Sequence, residues 1–257
     1  MEIQRLPALS DNYIFVLFDR AQKIAAVVDP ATARPVIDFL ATIDCQLIAI
    51  FNTHHHFDHV GGNHELREHF PNLAVYGGEV DRGRIPHQQF FLTEGDTIQF
   101  GDRTGKVFFV PGHTRGHIAY YFPPATPQDP GELFCGDTIF AGGCGRLFEG
   151  TPAQMVASIS KLRQLPDNTR IWCAHEYTLN NLKFALTVDS ANTALQQRYH
   201  EVQQARQQGI PTVPSLLGIE KQTNPFLRWD TPAIKATAKT TQPARVFGRI
   251  RGMKDLF

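Results

Sequence analysis

The segment Thr53-His54-His55-His56-Phe57-Asp58-His59 constrains this chain more than any other part of it. It crowds imidazoles and a carboxylate into a window too short for one regular element to hold them idle, and these are the side chains that suit zinc, iron or manganese. Just before it, Leu47-Ile48-Ala49-Ile50-Phe51 is an unbroken apolar run of strand length. Just after it, Val60-Gly61-Gly62-Asn63-His64-Glu65-Leu66 reads as the opening turn of a helix. The pattern therefore predicts a histidine loop at the end of a buried strand, where rigid elements can aim several side chains at one point. A histidine tag would be terminal and featureless, whereas this run is internal and interrupted by Asp58.

The remaining sequence frames that loop. A chain of 257 residues can bury a large core and suggests one big domain, or a domain plus a smaller companion. Lys+Arg and Asp+Glu both number 25, which argues against a broad nucleic-acid binder or a membrane-surface protein but leaves room for a local basic pocket. The opening Met1-Glu2-Ile3-Gln4-Arg5-Leu6-Pro7 lacks the charged head and long apolar core of a signal peptide, and no run approaches the ~18 apolar residues of a membrane span. Cys45, Cys135, Cys144 and Cys173 show no C-x-x-C spacing and read as reduced, packed thiols of a cytoplasmic protein.

Strands are expected at 12–18 and 23–28 as a hairpin, then at 47–51, 74–76, 105–110, 118–122, 132–136 and 171–174. Helices are expected from Pro35 to Leu40, from the Gly61-Gly62 pair to about Phe70, and over 180–188 and 191–208. In the last of these, Leu195, Tyr199 and Val202 share one face. Strands mixed with helices in this order predict an α/β layered architecture over residues 1–166. A mostly helical domain is expected at 167–257.

Three later residues repeat the placement of the histidine loop, each just past an apolar strand: His113 in Val110-Pro111-Gly112-His113-Thr114, Asp137 in Phe134-Cys135-Gly136-Asp137-Thr138, and His175 in Cys173-Ala174-His175-Glu176-Tyr177. Singly, such residues are more often caps or turn formers. Together, T-H-x-H-x-D-H, G-H-T, G-D-T and C-x-H-E-Y resemble the metallo-β-lactamase superfamily in its two-metal hydrolase branch. The closer similarity is to glyoxalase II, the hydroxyacylglutathione hydrolases. It extends through Ser10-Asp11-Asn12-Tyr13, Gly142-Gly143-Cys144-Gly145-Arg146, His175-Glu176-Tyr177-Thr178-Leu179-Asn180-Asn181, Asn224-Pro225-Phe226-Leu227-Arg228 and Arg251-Gly252-Met253-Lys254-Asp255-Leu256-Phe257, essentially the whole chain.

The resemblance implies a metallo-β-lactamase-like four-layer αββα sandwich followed by a small helical C-terminal domain. It implies two divalent metal ions, zinc first, with iron or manganese as alternatives. His54, His56 and His113 would hold one ion, Asp58, His59 and His175 the other, and Asp137 would bridge them. His55 would point away from the metals, and His117 would take a packing or supporting role. The reaction implied is hydrolysis of S-(2-hydroxyacyl)glutathione thioesters by a metal-bridged hydroxide, with Asp58 also orienting the nucleophile. S-D-lactoylglutathione would give D-lactate and glutathione, the second step of methylglyoxal detoxification. Arg146, Tyr177, Arg251 and Lys254 match the family positions that grip glutathione, and Phe148, where many members carry tyrosine, is a further candidate. The small-molecule thioester would be the partner of a monomer, with no nucleic acid and no membrane. The rival readings are a one-iron persulfide dioxygenase of similar fold, another metallohydrolase of the superfamily, and a non-catalytic metal-binding scaffold.

Overall fold

The computed structural model describes residues 1–257, which form two compact units. The first comprises Met1–Phe109 and Arg115–Gly136, the second Val110–Thr114 and Asp137–Phe257.

In the first unit a six-stranded sheet is ordered as the chain runs: β1 (Glu2–Ala8), β2 (Asn12–Asp19), β3 (Ile24–Val28), β4 (Gln46–Phe51), β5 (Ala74–Gly78) and β6 (Phe90–Leu92). The β1/β2 and β2/β3 pairs are antiparallel, and the pairs from β3 to β6 are parallel. The helices α1 (Arg34–Leu40), α2 (Phe57–Val60) and α3 (Asn63–His69) lie in the connections between its parallel strands. A second sheet in this unit runs antiparallel through β7 (Thr97–Phe100), β8 (Arg103–Phe109), β9 (Ile118–Phe122) and β10 (Glu132–Gly136).

The continuous apolar runs are explained by burial on both faces. On β2, Ile14, Val16 and Phe18 join Val36 and Leu40 of α1 and Leu66 of α3 in one core. The alternate residue Phe15 turns to the second sheet and meets Phe134 of β10 with ring centroids 5.8 Å apart, while Phe51 meets Tyr120 at 5.5 Å. Two sheets thus pack face to face in this unit, with helices on the far side of the first.

β1 escapes sequence reading because Glu2–Ala8 carries no apolar run. It is an edge strand, which is also why Pro7 is tolerated within it. The histidine loop also differs from expectation. Asp58 and His59 belong to the single-turn helix α2, with His56 in extended conformation at its N-cap. Gly61 and Gly62 follow because the chain there presses on the 30–33 turn: a Cβ at either would lie 2.6 or 2.7 Å from its backbone atoms.

The second unit holds β11 (Ile139–Phe140), β12 (Gly143–Cys144), β13 (Arg170–Cys173) and β14 (Ser215–Leu216), as two antiparallel pairs. Its helices are α4 (Pro152–Arg163), α5 (Thr178–Val188), α6 (Thr193–Gln207), α7 (Leu217–Thr223), α8 (Pro232–Ala238) and α9 (Pro243–Asp255). The expected face of α6 packs on α5 through Leu195, Tyr199 and Val202. α4 begins at a capping box, in which the Thr151 side chain accepts from the Gln154 amide while the Gln154 side chain accepts from the Thr151 amide. A buried ion pair between Arg198 of α6 and Glu220 of α7 carries the 140–146 turn. The other Glu220 oxygen accepts from the Gly142 amide at 2.8 Å and from Asn224 Nδ2 at 3.0 Å, and Asn224 Nδ2 also donates to the Gly143 carbonyl.

The end of β4 hangs on one buried hydroxyl. Tyr120 donates to the Asn52 carbonyl at 2.8 Å, and burial raises its phenol well above the usual range, so it stays a donor. Tyr120→Phe leaves that carbonyl unsatisfied and is expected to cost about 1–3 kcal/mol in urea unfolding. An unchanged midpoint and slope would show that the bond contributes nothing.

Candidate metal centre and basic pocket

Asn52, fully buried at the end of β4, is the hub of the histidine loop. Its amide donates to the Tyr76 carbonyl at 3.0 Å, its Nδ2 to the His59 carbonyl at 3.0 Å, and its Oδ1 accepts from Asn63 at 2.8 Å. These bonds tie β4 to α2 and α3 and hold the loop in one conformation. Within it, His54 Nε2 lies 3.1 Å from His56 Nδ1, and the rings of His54 and His59 are 4.1 Å apart. Asp58 Oδ2 accepts from Asn12 Nδ2 at 3.1 Å and lies 3.6 Å from His59 Nε2. His54, His56, Asp58 and His59 are therefore brought together as expected from their spacing.

Asp29 is a further member of this cluster, one that the sequence pattern does not mark. Its Oδ1 accepts from the Thr53 amide at 2.7 Å. Its Oδ2 accepts from the Thr53 hydroxyl at 2.7 Å and lies 3.0 Å from His59 Nδ1. Asp29, His54 and His59 have the spacing of a ligand group, but these contacts occupy the Asp29 carboxylate, and it serves as a support for His59 instead. The one signal available in the sequence was an Asp closing a buried strand before Pro30; its backbone adopts a left-handed φ of 47°. Among the neighbouring rings, His55 Nδ1 lies 3.2 Å from Asp81, and His117 stacks on His54 at 4.5 Å with Nδ1 at 3.0 Å from the Ile118 carbonyl.

In the second unit Asp137 stands between two imidazoles, with Oδ2 at 3.3 Å from His113 Nε2 and Oδ1 at 3.4 Å from His175 Nε2. His113 Nδ1 lies 2.8 Å from the Arg146 carbonyl, which can only accept, so Nδ1 carries the proton. In the neutral ring Nε2 is then a lone pair aimed at a carboxylate oxygen. The same logic applies at His59: Nδ1 faces Asp29, which leaves Nε2 toward Asp58. Lone pairs set against carboxylates repel unless positive charge lies between them, and a metal ion held by both groups supplies it as well as a proton does. The donor set therefore fits metal ions. Glycine is required at 145, where a Cβ would sit on the Asp137 carbonyl and 2.9 Å from His113 Nδ1.

A cavity of about 390 Å³ adjoins this group, lined by His113, Asp137, Arg146, Tyr177, Arg251 and Lys254 among others. Tyr177 stacks on His175 at 4.8 Å with the rings 5° from parallel, and Phe148, 62% exposed, sets its edge to His113 at 5.2 Å. Arg251 is buried and partly committed to structure: it donates to the Cys144 carbonyl at 2.9 Å and pairs with Asp255 at 3.1 Å. Asp255 also lies 3.6 Å from Arg146 Nε. The Lys254 ammonium donates to the Asn180 carbonyl at 3.3 Å and sits over the rings of Phe184 and Phe257. All five substrate-binding candidates thus line one cavity. Burial pushes the Cys144 thiol, in the same wall, up to about 11 against the influence of Arg251, so it stays protonated.

Partial burial first, then the charges of Arg251 and Arg146, lower the Lys254 ammonium from 10.5 to about 8. Because the folded value lies below the unfolded one, the unfolded chain binds more protons between about pH 8 and 10.5, and stability contributed by this group rises with pH across that window. NMR of lysine-labelled protein is expected to show one side chain titrating near 8 that disappears in Lys254→Met. Titration of every lysine above 10 would contradict the burial argument.

Comparison with known proteins agrees with this geometry. The model of the metallo-β-lactamase superfamily matches residues 10–175, and that of the hydroxyacylglutathione hydrolase C-terminus matches 176–257. The chain is 70% identical to a hydroxyacylglutathione hydrolase of Gloeothece citriformis and 67% identical to one of Rippkaea orientalis, each over 257 residues and the full length of both chains. Its fold is also that of the crystal structure of the BLEG-1 B3 metallo-β-lactamase, with a TM-score of 0.67 at 24% identity, covering 88% of this chain and all of that one. Fold and sequence together establish that the chain belongs to the hydroxyacylglutathione hydrolase family of the metallo-β-lactamase superfamily.

Proposed function

We propose that this protein hydrolyses S-(2-hydroxyacyl)glutathione thioesters, S-D-lactoylglutathione among them, at a centre of two divalent metal ions. In this reading His54, His56 and His113 would hold one ion, Asp58, His59 and His175 the other, and Asp137 would serve both. The observation that carries it is the Asp137 carboxylate, which offers one oxygen toward each of two imidazoles beside a cavity lined by cationic side chains. Zinc is the proposed metal, with iron or manganese as alternatives, since imidazole and carboxylate accept all three.

When bound, such ions supply Lewis acidity that polarises a carbonyl and makes water nucleophilic near neutral pH. The chain's own residues do the remainder. Asp58, steadied by Asn12, orients the attacking water. Asp29 fixes the His59 ring, and the Arg146 carbonyl fixes that of His113. The leaving group is a thiolate whose parent thiol has a pKa of about 8.5, so it departs without a strong general acid. Lys254, with Arg146 and Arg251, receives the carboxylates of the glutathione portion, and Tyr177 offers a hydroxyl. On this basis residues 167–257 form the substrate-binding part, aided by Arg146 and Phe148. No tyrosine hydroxyl stands at position 148, so this cavity wall contributes an aromatic edge only.

Support for hydrolysis over the one-iron dioxygenase reading comes from the full-length similarity to chains named hydroxyacylglutathione hydrolase. A cytoplasmic, monomeric enzyme is the further expectation. Four free cysteines, three of them buried, suit a reducing compartment, and no helix is long and apolar enough to cross a membrane.

Steady-state loss of the thioester absorbance of S-D-lactoylglutathione, abolished by a chelator, is the expected behaviour of metal-replete protein. No turnover with two ions bound would discard the substrate assignment. Asp137→Ala is expected to lose metal and all measurable activity, and two ions retained with activity would overturn the bridge. For Lys254→Ala the expected change is mainly in KM. In the unchanged protein KM is expected to rise as pH passes about 8, where the ammonium deprotonates, and Lys254→Arg should flatten that rise. A pH-independent KM would remove Lys254 from the substrate site.

A further inference from the structure

We propose that His55, Asp81 and Arg84 are positioning residues of the metal centre, locking the backbone between the ligand candidates His54 and His56. The proposal rests on the metal reading above and concerns a position that the T-H-x-H pattern leaves open.

His55 Nδ1 lies 3.2 Å from Asp81 Oδ1, and Arg84 Nη1 lies 3.2 Å from the same oxygen. The other Arg84 nitrogen, Nη2, meets His55 Nε2. A guanidinium can only donate, so Nε2 accepts and Nδ1 carries the proton that faces the carboxylate. The three side chains lie in mutual contact, with the one anion and the one cation paired and the imidazole beside both. Asp81 has no solvent exposure, and a buried carboxylate is tolerated only when paired. The surrounding chain is shaped to admit it: a Cβ at Gly116 would overlap the Asp81 carboxylate.

The consequence falls on the neighbours in sequence. His54 Nδ1 lies 3.0 Å from the Thr53 hydroxyl, itself bonded to Asp29, and His54 Nε2 faces His56 Nδ1 at 3.1 Å. The loop is therefore pinned at Thr53 from one side and at His55 from the other. Holding the His55 ring restrains rotation of the 54–56 backbone and keeps the His54 and His56 ring nitrogens together, 3.1 Å apart. Released, His56 would be the ligand free to turn away, because it also begins the single turn of α2.

The test is a zinc titration of the metal-free full chain against a chromogenic chelator, with the melting temperature of the metal-free protein measured alongside. Asp81→Asn keeps the shape and removes the charge. It is expected to weaken one of two binding steps by about ten-fold or more while leaving the other within about two-fold, the range seen when outer partners of ligands are removed. Arg84→Met and Gly116→Ala are expected to weaken the same step, which keeps the test open should Asp81→Asn fold poorly. Two binding steps equal to those of the unchanged chain in all three variants would overturn the proposal. So would equal weakening of both steps together with a large fall in melting temperature, the signature of general destabilisation. A failure of the metal reading itself looks different: the unchanged chain would then take up fewer than two ions, and this inference would fall with it.

Discussion

The candidate site depends on imidazole nitrogens set against carboxylate oxygens, an arrangement that calls for positive charge between them, a proton or a metal ion. His113 is committed through Nδ1 to a carbonyl, and His59 faces the buried Asp29 carboxylate through Nδ1, so each points a lone pair at a further carboxylate. Burial makes this arrangement costly, since His59 and His113 are almost wholly removed from water. A fold maintains such repulsion only when other bonds over-determine it. The bonds are visible: Asn52 pins the His59 carbonyl, Asp29 pins Thr53, and the Arg198–Glu220 pair pins the turn that leads to Arg146. Within each unit these bonds hold the imidazoles and carboxylates in place.

The same division of labour recurs in the basic cavity. Arg251 spends much of its donor capacity on the Cys144 carbonyl and Asp255, and Arg146 lies near the same carboxylate. Lys254 has no such carboxylate beside it. Its ammonium rests on two phenyl rings and a carbonyl, and its lowered pKa is the electrostatic record of that position. The cavity thus gathers three cationic side chains in a chain whose net charge is zero.

The histidine loop and the three later strand-end residues were legible because metal ligands must be particular side chains at particular spacings, and buried strands must be apolar. The burial of β2 and β4 on both faces follows from that, as does the packing face of α6. β1 was not legible, because an edge strand bearing Glu2, Gln4, Arg5 and Pro7 shows no hydrophobic period. α4 and α9 were legible in principle, since Thr151-Pro152-Ala153-Gln154 carries a capping box with proline in the first turn and α9 likewise opens with Pro243. Asp29, Asn52 and Asp81 were invisible as supports, since a buried polar residue that steadies a ligand from a distant strand leaves no local pattern. His55 is the instructive case: only the fold shows the carboxylate and guanidinium set beside its ring.

The central claim is that Asp137 shares its two oxygens between two metal ions. Anomalous X-ray diffraction from crystals grown with zinc tests it directly. Two strong peaks per chain are predicted, each within bonding distance of a different oxygen of Asp137. A single peak, or two peaks with the Asp137 carboxylate bound to neither, would contradict it.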